Sequence, residues 1–178
     1  LGLLLDSNLD GKGDFTIFAN YRRSFVNRYV FPDGELLDIA DTVRTMEQAG
    51  FDVERQAYGL DTAFAARVGS GDKHIVICAE YDALPGISQK AQPTKEPLNE
   101  GAAGHGCGHN LFGTASLASA IAIKELIEQG ELQGTIRFYG TPAEEKFFGK
   151  LYFARAGLFD DLDACLDWHP SAETKADV

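Results

Sequence analysis

The run His74-Ile75-Val76-Ile77-Cys78-Ala79-Glu80 constrains this chain most, because apolar side chains fill consecutive positions rather than every second one. A strand with one wet face alternates, whereas an unbroken run needs cover on both faces, as in the middle of an α/β sheet. Thr135–Tyr139 and Ala164–Trp168 read as further strands of that kind. Leu111–Gln129 is an Ala-, Ile- and Leu-rich helix stopped by Gly130, and Phe147–Ala156 a helix closed by Gly157. Upstream, Leu36, Ile39, Ala40, Val43 and Met46 recur at helical spacing until Gly50. Phe51–Gln56 and Thr62–Val68 read as strands, the second cut off by Gly-Ser-Gly at 69–71, and 88–104 reads as a long loop. Strands alternating with helices predict the α/β class, a three-layer α/β/α fold with a mostly parallel central sheet over residues 35–178.

Composition narrows what such a domain does. A hydrophobic share of 44% supports a sizeable core. Sixteen basic against twenty-seven acidic side chains give a net charge of −11, and with no basic run this excludes a nucleic-acid partner. No apolar stretch approaches a membrane span, and Leu1–Leu5 lacks the basic leader of a signal peptide. Cys78, Cys107 and Cys165 are odd in number, far apart and free of any CxxC pairing, which points to a reducing, cytoplasmic setting rather than a disulfide framework.

Residues 1–34 read as a separate segment. Asp6, Asn8, Asp10 and Asp14, with Gly11, form D-x-N-x-D-G-x-x-D, the front half of a calcium-type loop in which alternate oxygens converge on a hard cation. The twelfth loop position is Ile17 rather than a bidentate Glu, so a polar turn is the simpler reading.

The chemistry-bearing residues cluster where strands end. Glu80-Tyr81-Asp82 follows the first buried strand, Glu144-Glu145 the second and His169-Pro170 the third. His105-Gly106-Cys107-Gly108-His109-Asn110 precedes the Ala-rich helix. Open α/β sheets bind ligands beyond the carboxyl ends of their strands, so all four clusters are expected at one edge. Taken singly, each has a plain structural explanation: a small buried thiol, a helix-cap histidine, a solvated acid pair, a surface imidazole. Together they make a donor set. A thiolate and an imidazole two residues apart, relieved of crowding by glycines, suit borderline ions such as zinc, manganese, cobalt or nickel. Of two adjacent carboxylates in a turn, one can bind an ion while its neighbour acts as a general base. Asp82 can accept a hydrogen bond from a ligating imidazole and so fix its tautomer. Rival chemistries lack their motifs: there is no G-x-S-x-G, H-E-x-x-H, P-loop or G-x-G-x-x-G.

These motifs, in this order and spacing, resemble the amidohydrolase branch of the M20 metallopeptidases. The likeness rests on Ala79-Glu80-Tyr81-Asp82-Ala83-Leu84-Pro85-Gly86, His105 through Leu111, Pro142-Ala143-Glu144-Glu145, Phe159-Asp160-Asp161 and Trp168-His169-Pro170. It implies hydrolysis of an amide bond in a small N-acyl amino acid such as p-aminobenzoyl-glutamate, with two divalent transition-metal ions. By the same resemblance Cys107, His109, Glu145 and His169 are metal ligands, Glu144 is the general base, and Asp82 and His105 stand behind the ligands. Family members carry one more ligand, a histidine far downstream, and an inserted lid domain through which they oligomerise. The histidines here are 74, 105, 109 and 169, so the expectation is an incomplete catalytic domain whose homo- or hetero-oligomer contacts lie in a missing lid. Lys146-Phe147-Phe148 stands where relatives tend to have small residues. The alternatives are a dipeptidase or aminoacylase of the same branch, or a non-catalytic metal-binding module if the chain naturally ends near residue 178.

Overall fold

The computed structural model describes residues 28–30 and 36–173, with side chains from residue 42 onward. The calcium-type loop of Asp6, Asn8, Asp10 and Asp14 lies outside the described residues.

Two short strands, β1 (Arg28–Val30) and β2 (Leu36–Asp38), pair antiparallel, with Tyr29 opposite Leu37. Helix α1 (Ile39–Gln48) follows directly. The helix expected from Leu36 therefore begins at Ile39, because backbone pairing with β1 claims the three preceding residues.

The central sheet has five strands: β3 (Asp52–Arg55), β4 (Phe64–Ser70), β5 (His74–Ala79), β6 (Gly134–Gly140) and β7 (Ala164–Leu166), in the order β3-β4-β6-β5-β7. β6, β5 and β7 are parallel neighbours, with Ile77 opposite both Phe138 and Leu166. β4 runs antiparallel to β6 and to β3, so four strands point one way and β4 alone is reversed. The long helix α2 (His109–Glu128) makes the crossover from β5 to β6. Two short helices, α3 (Glu144–Phe147) and α4 (Lys150–Arg155), lie between β6 and β7.

The unbroken apolar run of β5 finds cover on both faces, as expected. Ile77 and Ala79 join Phe64, Ile136 and Phe138 beneath α1 and α2, which contribute Val43, Met46, Leu117, Ala120 and Ile121. Val76 and Cys78 face the other way, with Tyr139 and Phe153 of α4. Phe64 and Phe138 stack at 5.6 Å, and Tyr139 meets Phe153 at 5.2 Å. Full burial of each such ring stabilises the fold by about 1.5–3 kcal/mol. The first half of α2 is apolar or small on nearly every side, which lets it lie close to the sheet. Ser116 there donates to the Cys78 carbonyl at 3.2 Å.

Two element boundaries differ from expectation for local reasons. β4 continues through Gly69 and Ser70 because the pairing with β6 brings two glycines together. A Cβ at Gly69 would lie 2.3 Å from the Gly134 carbonyl oxygen, and its φ of +89° suits only glycine. The single helix expected over 147–156 is two helices, broken where Phe148 takes a left-handed φ of 51°. β7 ends at Leu166 rather than Trp168, which frees Asp167, Trp168 and His169 to turn toward α2.

Candidate metal centre

Three adjacent parallel strands and the start of α2 deliver their polar ends to one edge of the sheet. β5 leads into Glu80 and Asp82, β6 into Thr141, Pro142 and the α3 acids, and β7 into His169. Gly108 caps α2 at φ +85°, and a Cβ there would lie 2.8 Å from Pro170 Cγ. Gly108 thus allows the Cys107–His109 turn to close against the segment carrying His169. Glu144 and Glu145 sit just past Ala143, a non-glycine residue at φ 56°. A left-handed residue of this type costs roughly 1–2 kcal/mol, so the surrounding structure holds this turn in a strained conformation.

The donors meet. Cys107 Sγ lies 3.2 Å from His169 Nε2, and the rings of His109 and His169 stand edge to face with centroids 5.5 Å apart. One ligand-type atom from each of Cys107, His109 and His169 falls within 4.8 Å of the others, as does a second group, Glu80, His109 and Glu144. His109 belongs to both. It is 1% exposed, and its Nδ1–H donates to Asp82 Oδ1 at 2.9 Å. Asp82 Oδ2 accepts from the Glu145 backbone N–H at 3.1 Å, so one buried carboxylate positions both the imidazole and the acidic turn.

That hydrogen bond decides what the other nitrogen can do. With the proton on Nδ1, Nε2 of His109 presents a lone pair, and it is buried without a hydrogen bond. Facing it are Glu80 Oε2 at 3.1 Å and Glu144 Oε2 at 3.9 Å, also acceptors. Acceptors aimed at one another in a buried place are satisfied by a cation, and the donor set of sulfur, imidazole and carboxylate fits a divalent transition metal.

The acids dominate the electrostatics of this cluster. Burial pushes the Glu144 carboxyl up, and repulsion from Glu80 and Glu145 adds to it. Burial and the neighbouring Glu145 push the Cys107 thiol up to about 11. Burial alone would lower His109, yet Asp82 and Glu80 raise it. Asp82 goes down despite burial, through its bonds from His109 and the Glu145 backbone. The pocket carries an excess of negative charge that favours positive occupants.

Glu80 escaped the sequence reading as a donor. It is 4% exposed and ion-paired with Lys150, whose ammonium also lies 3.6 Å from Asp167 and over the Phe112 ring. The available signal was its spacing from Asp82: residues two apart beyond a strand point to one side. Glu145 falls outside both donor groups, where Glu144 stands instead, and so does His105. His105 lines a neighbouring cavity of about 590 Å³ with Ile87, Leu98, Gly106, Gly108 and Leu111.

Comparisons with known proteins identify the family. Residues 76–177, more than half of the chain, match Peptidase family M20/M25/M40. The chain belongs to this family. It is 51% identical over 130 residues to a subunit of the p-aminobenzoyl-glutamate hydrolase of Escherichia coli, covering 71% of this chain and 27% of that protein. To the Xaa-Arg dipeptidase of Mus musculus it is 33% identical over 128 residues, covering 67% and 26%. Among solved structures, a dinuclear metal-binding peptidase of the M20 family from Bacillus subtilis superposes with a TM-score of 0.56 at 25% identity, over 85% of this chain and 40% of that one. The chain thus spans about a quarter of the length of the two sequence relatives. This M20 chain has the α/β fold expected from its strand pattern.

Proposed function

We propose that this chain supplies the metal-binding part of an amidohydrolase that cleaves the amide bond of a small N-acyl amino acid of the p-aminobenzoyl-glutamate kind. The observation that carries the reading is the convergence of Cys107 and His109 of one turn with His169 from the end of β7, all within 4.8 Å. The 51% identity to part of a p-aminobenzoyl-glutamate hydrolase supports the substrate class.

In this reading Cys107, His109, Glu145 and His169 hold two divalent ions of the zinc, manganese, cobalt or nickel group. Ions bound there supply Lewis acidity, which lowers the pKa of water and polarises an amide carbonyl. Asp82 holds His109 in the tautomer whose Nε2 is free to ligate. Glu144, part-buried and raised in pKa among like charges, takes a proton from the attacking water at its carboxylate. The same carboxylic acid returns that proton to the departing amine nitrogen. His105 and the apolar lining of the adjoining cavity bound the space beside the reacting centre.

Among the described residues no helix is long and apolar enough to cross a membrane, and we place the protein in the cytoplasm on its cysteine usage. The Escherichia coli relative is one subunit of a hydrolase, which supports a role for this protein within a larger assembly. The resemblance to an Xaa-Arg dipeptidase supports a second reading, cleavage of a dipeptide by the same residues.

A substrate panel separates the readings. The full-length protein, loaded with metal, is expected to release p-aminobenzoate from p-aminobenzoyl-glutamate faster than it cleaves Xaa-Arg dipeptides. Preferential dipeptide cleavage would transfer the case to the second reading, and hydrolysis of neither would overturn both.

A further inference from the structure

A second pair of chemistry-bearing side chains lies outside the metal centre. Cys78 Sγ and Cys165 Sγ are 3.7 Å apart, one on β5 and the other on its parallel neighbour β7. Cys78 is 1% exposed and Cys165 is exposed, so the pair spans from the sheet interior to its surface. Burial and the neighbouring Cys165 raise the Cys78 thiol well above its ordinary value, which keeps it protonated and slow toward alkylating reagents.

The register argues against a direct bond between the sulfurs. Cys165 stands opposite Val76, so Cys78 is two residues further along its strand. A disulfide needs the sulfurs at about 2.0 Å, well inside the observed gap. A single bridging atom suits that gap. With two bonds of about 2.3 Å, the length of a zinc–thiolate bond, and a near-tetrahedral angle, it holds two sulfurs about 3.8 Å apart. A zinc ion wants four donors, and among the described residues the groups of three or more metal-type donors do not include this pair. A trivalent arsenic atom bearing one organic substituent needs only two sulfurs.

We propose that Cys78 and Cys165 form a two-thiol binding site for trivalent arsenicals, bridging β5 to β7. The reaction with an organoarsenic oxide balances without any oxidant or reductant. Two As–S bonds form, the As–O bonds and two S–H bonds break, and the oxide oxygen leaves with both protons as water. Arsenic remains trivalent.

The test uses the full chain, phenylarsine oxide and intact-mass spectrometry. Each chain is expected to gain one phenylarsenic unit less two protons. The adduct should survive a wash with excess monothiol, which strips arsenic held by one sulfur, and be released by a dithiol. It should vanish in Cys165→Ala, whose exposed side chain is expendable for folding, and in Cys78→Ala, while Cys107→Ala retains it. Thiol counting with a maleimide under denaturing conditions should find one free thiol per chain instead of three. A monothiol-resistant adduct that persists in Cys165→Ala, or that disappears in Cys107→Ala, would overturn the proposal. None of these readouts depends on catalytic activity, so failure here leaves the amidohydrolase reading untouched.

Discussion

Asp82 Oδ1 accepts a hydrogen bond from His109 Nδ1 at 2.9 Å, both side chains being buried, and this contact sets the chemical character of the whole centre. It turns a buried imidazole into an oriented lone pair facing two carboxylates. Replacing Asp82 with Ala should therefore weaken divalent-metal affinity by about 10–100-fold, the usual effect of losing an outer hydrogen-bond partner. Competition against a chromogenic chelator measures this directly. Unchanged affinity would mean that His109 needs no such anchor.

Glu144 is the proposed proton carrier, and Gln is its near-isosteric replacement. Glu144→Gln should lower kcat by roughly 10²–10⁴-fold, the range for loss of a general acid–base group. Bound metal should stay at the wild-type level by elemental analysis, because the proposed ligand set uses Glu145 instead. Loss of both metal and activity would exchange the roles of the two acids.

On the opposite face of the sheet, Asp161 receives two hydrogen bonds from Arg137, at 2.6 and 2.5 Å. The Arg137 guanidinium holds the Asp161 carboxyl at about 2, below its ordinary 3.8. A depressed folded-state pKa stabilises the fold above the unfolded value and stops doing so as pH falls through the folded one. Thermal melts of wild type and Asp161→Asn should thus differ by a constant amount above about pH 5. They should converge between about pH 4 and pH 2. A gap that widens with acid would contradict the assignment.

Phe153 anchors α4 against Tyr139 and Tyr58, with ring centroids at 5.2 and 4.9 Å and no exposed surface. Phe153→Ala should cost about 3–5 kcal/mol of unfolding free energy, measured by urea titration. Since α4 carries Lys150, the partner of Glu80, the variant should also weaken metal binding. A loss of stability with metal affinity intact would separate the far face from the centre.

Much of this was legible in the sequence because the signals were local. The unbroken apolar run of β5 announced a strand covered on both faces, and strand ends rich in donors announced an edge where they meet. Glu80 was opaque for the opposite reason. An acid at the end of a strand ordinarily reads as solvated, and the lysine that pairs with it lies seventy residues away. The reversed direction of β4 depends on the neighbour it pairs with, β6, which no periodicity within Phe64–Ser70 encodes. The break at Phe148 depends on a left-handed residue that apolar spacing predicts as helix. Asp6, Asn8, Asp10 and Asp14 remain a reading of the sequence alone.

Cobalt titration tests the central claim most directly, because a thiolate bound to cobalt produces a charge-transfer absorption that an imidazole or carboxylate does not. Carried out in a Cys165→Ala background, the titration should raise that band to saturation. Adding Cys107→Ala should abolish it, and adding His169→Ala should weaken cobalt binding strongly. No band in the parent, or a band that survives loss of Cys107, would show that the sulfur and the two imidazoles do not share an ion.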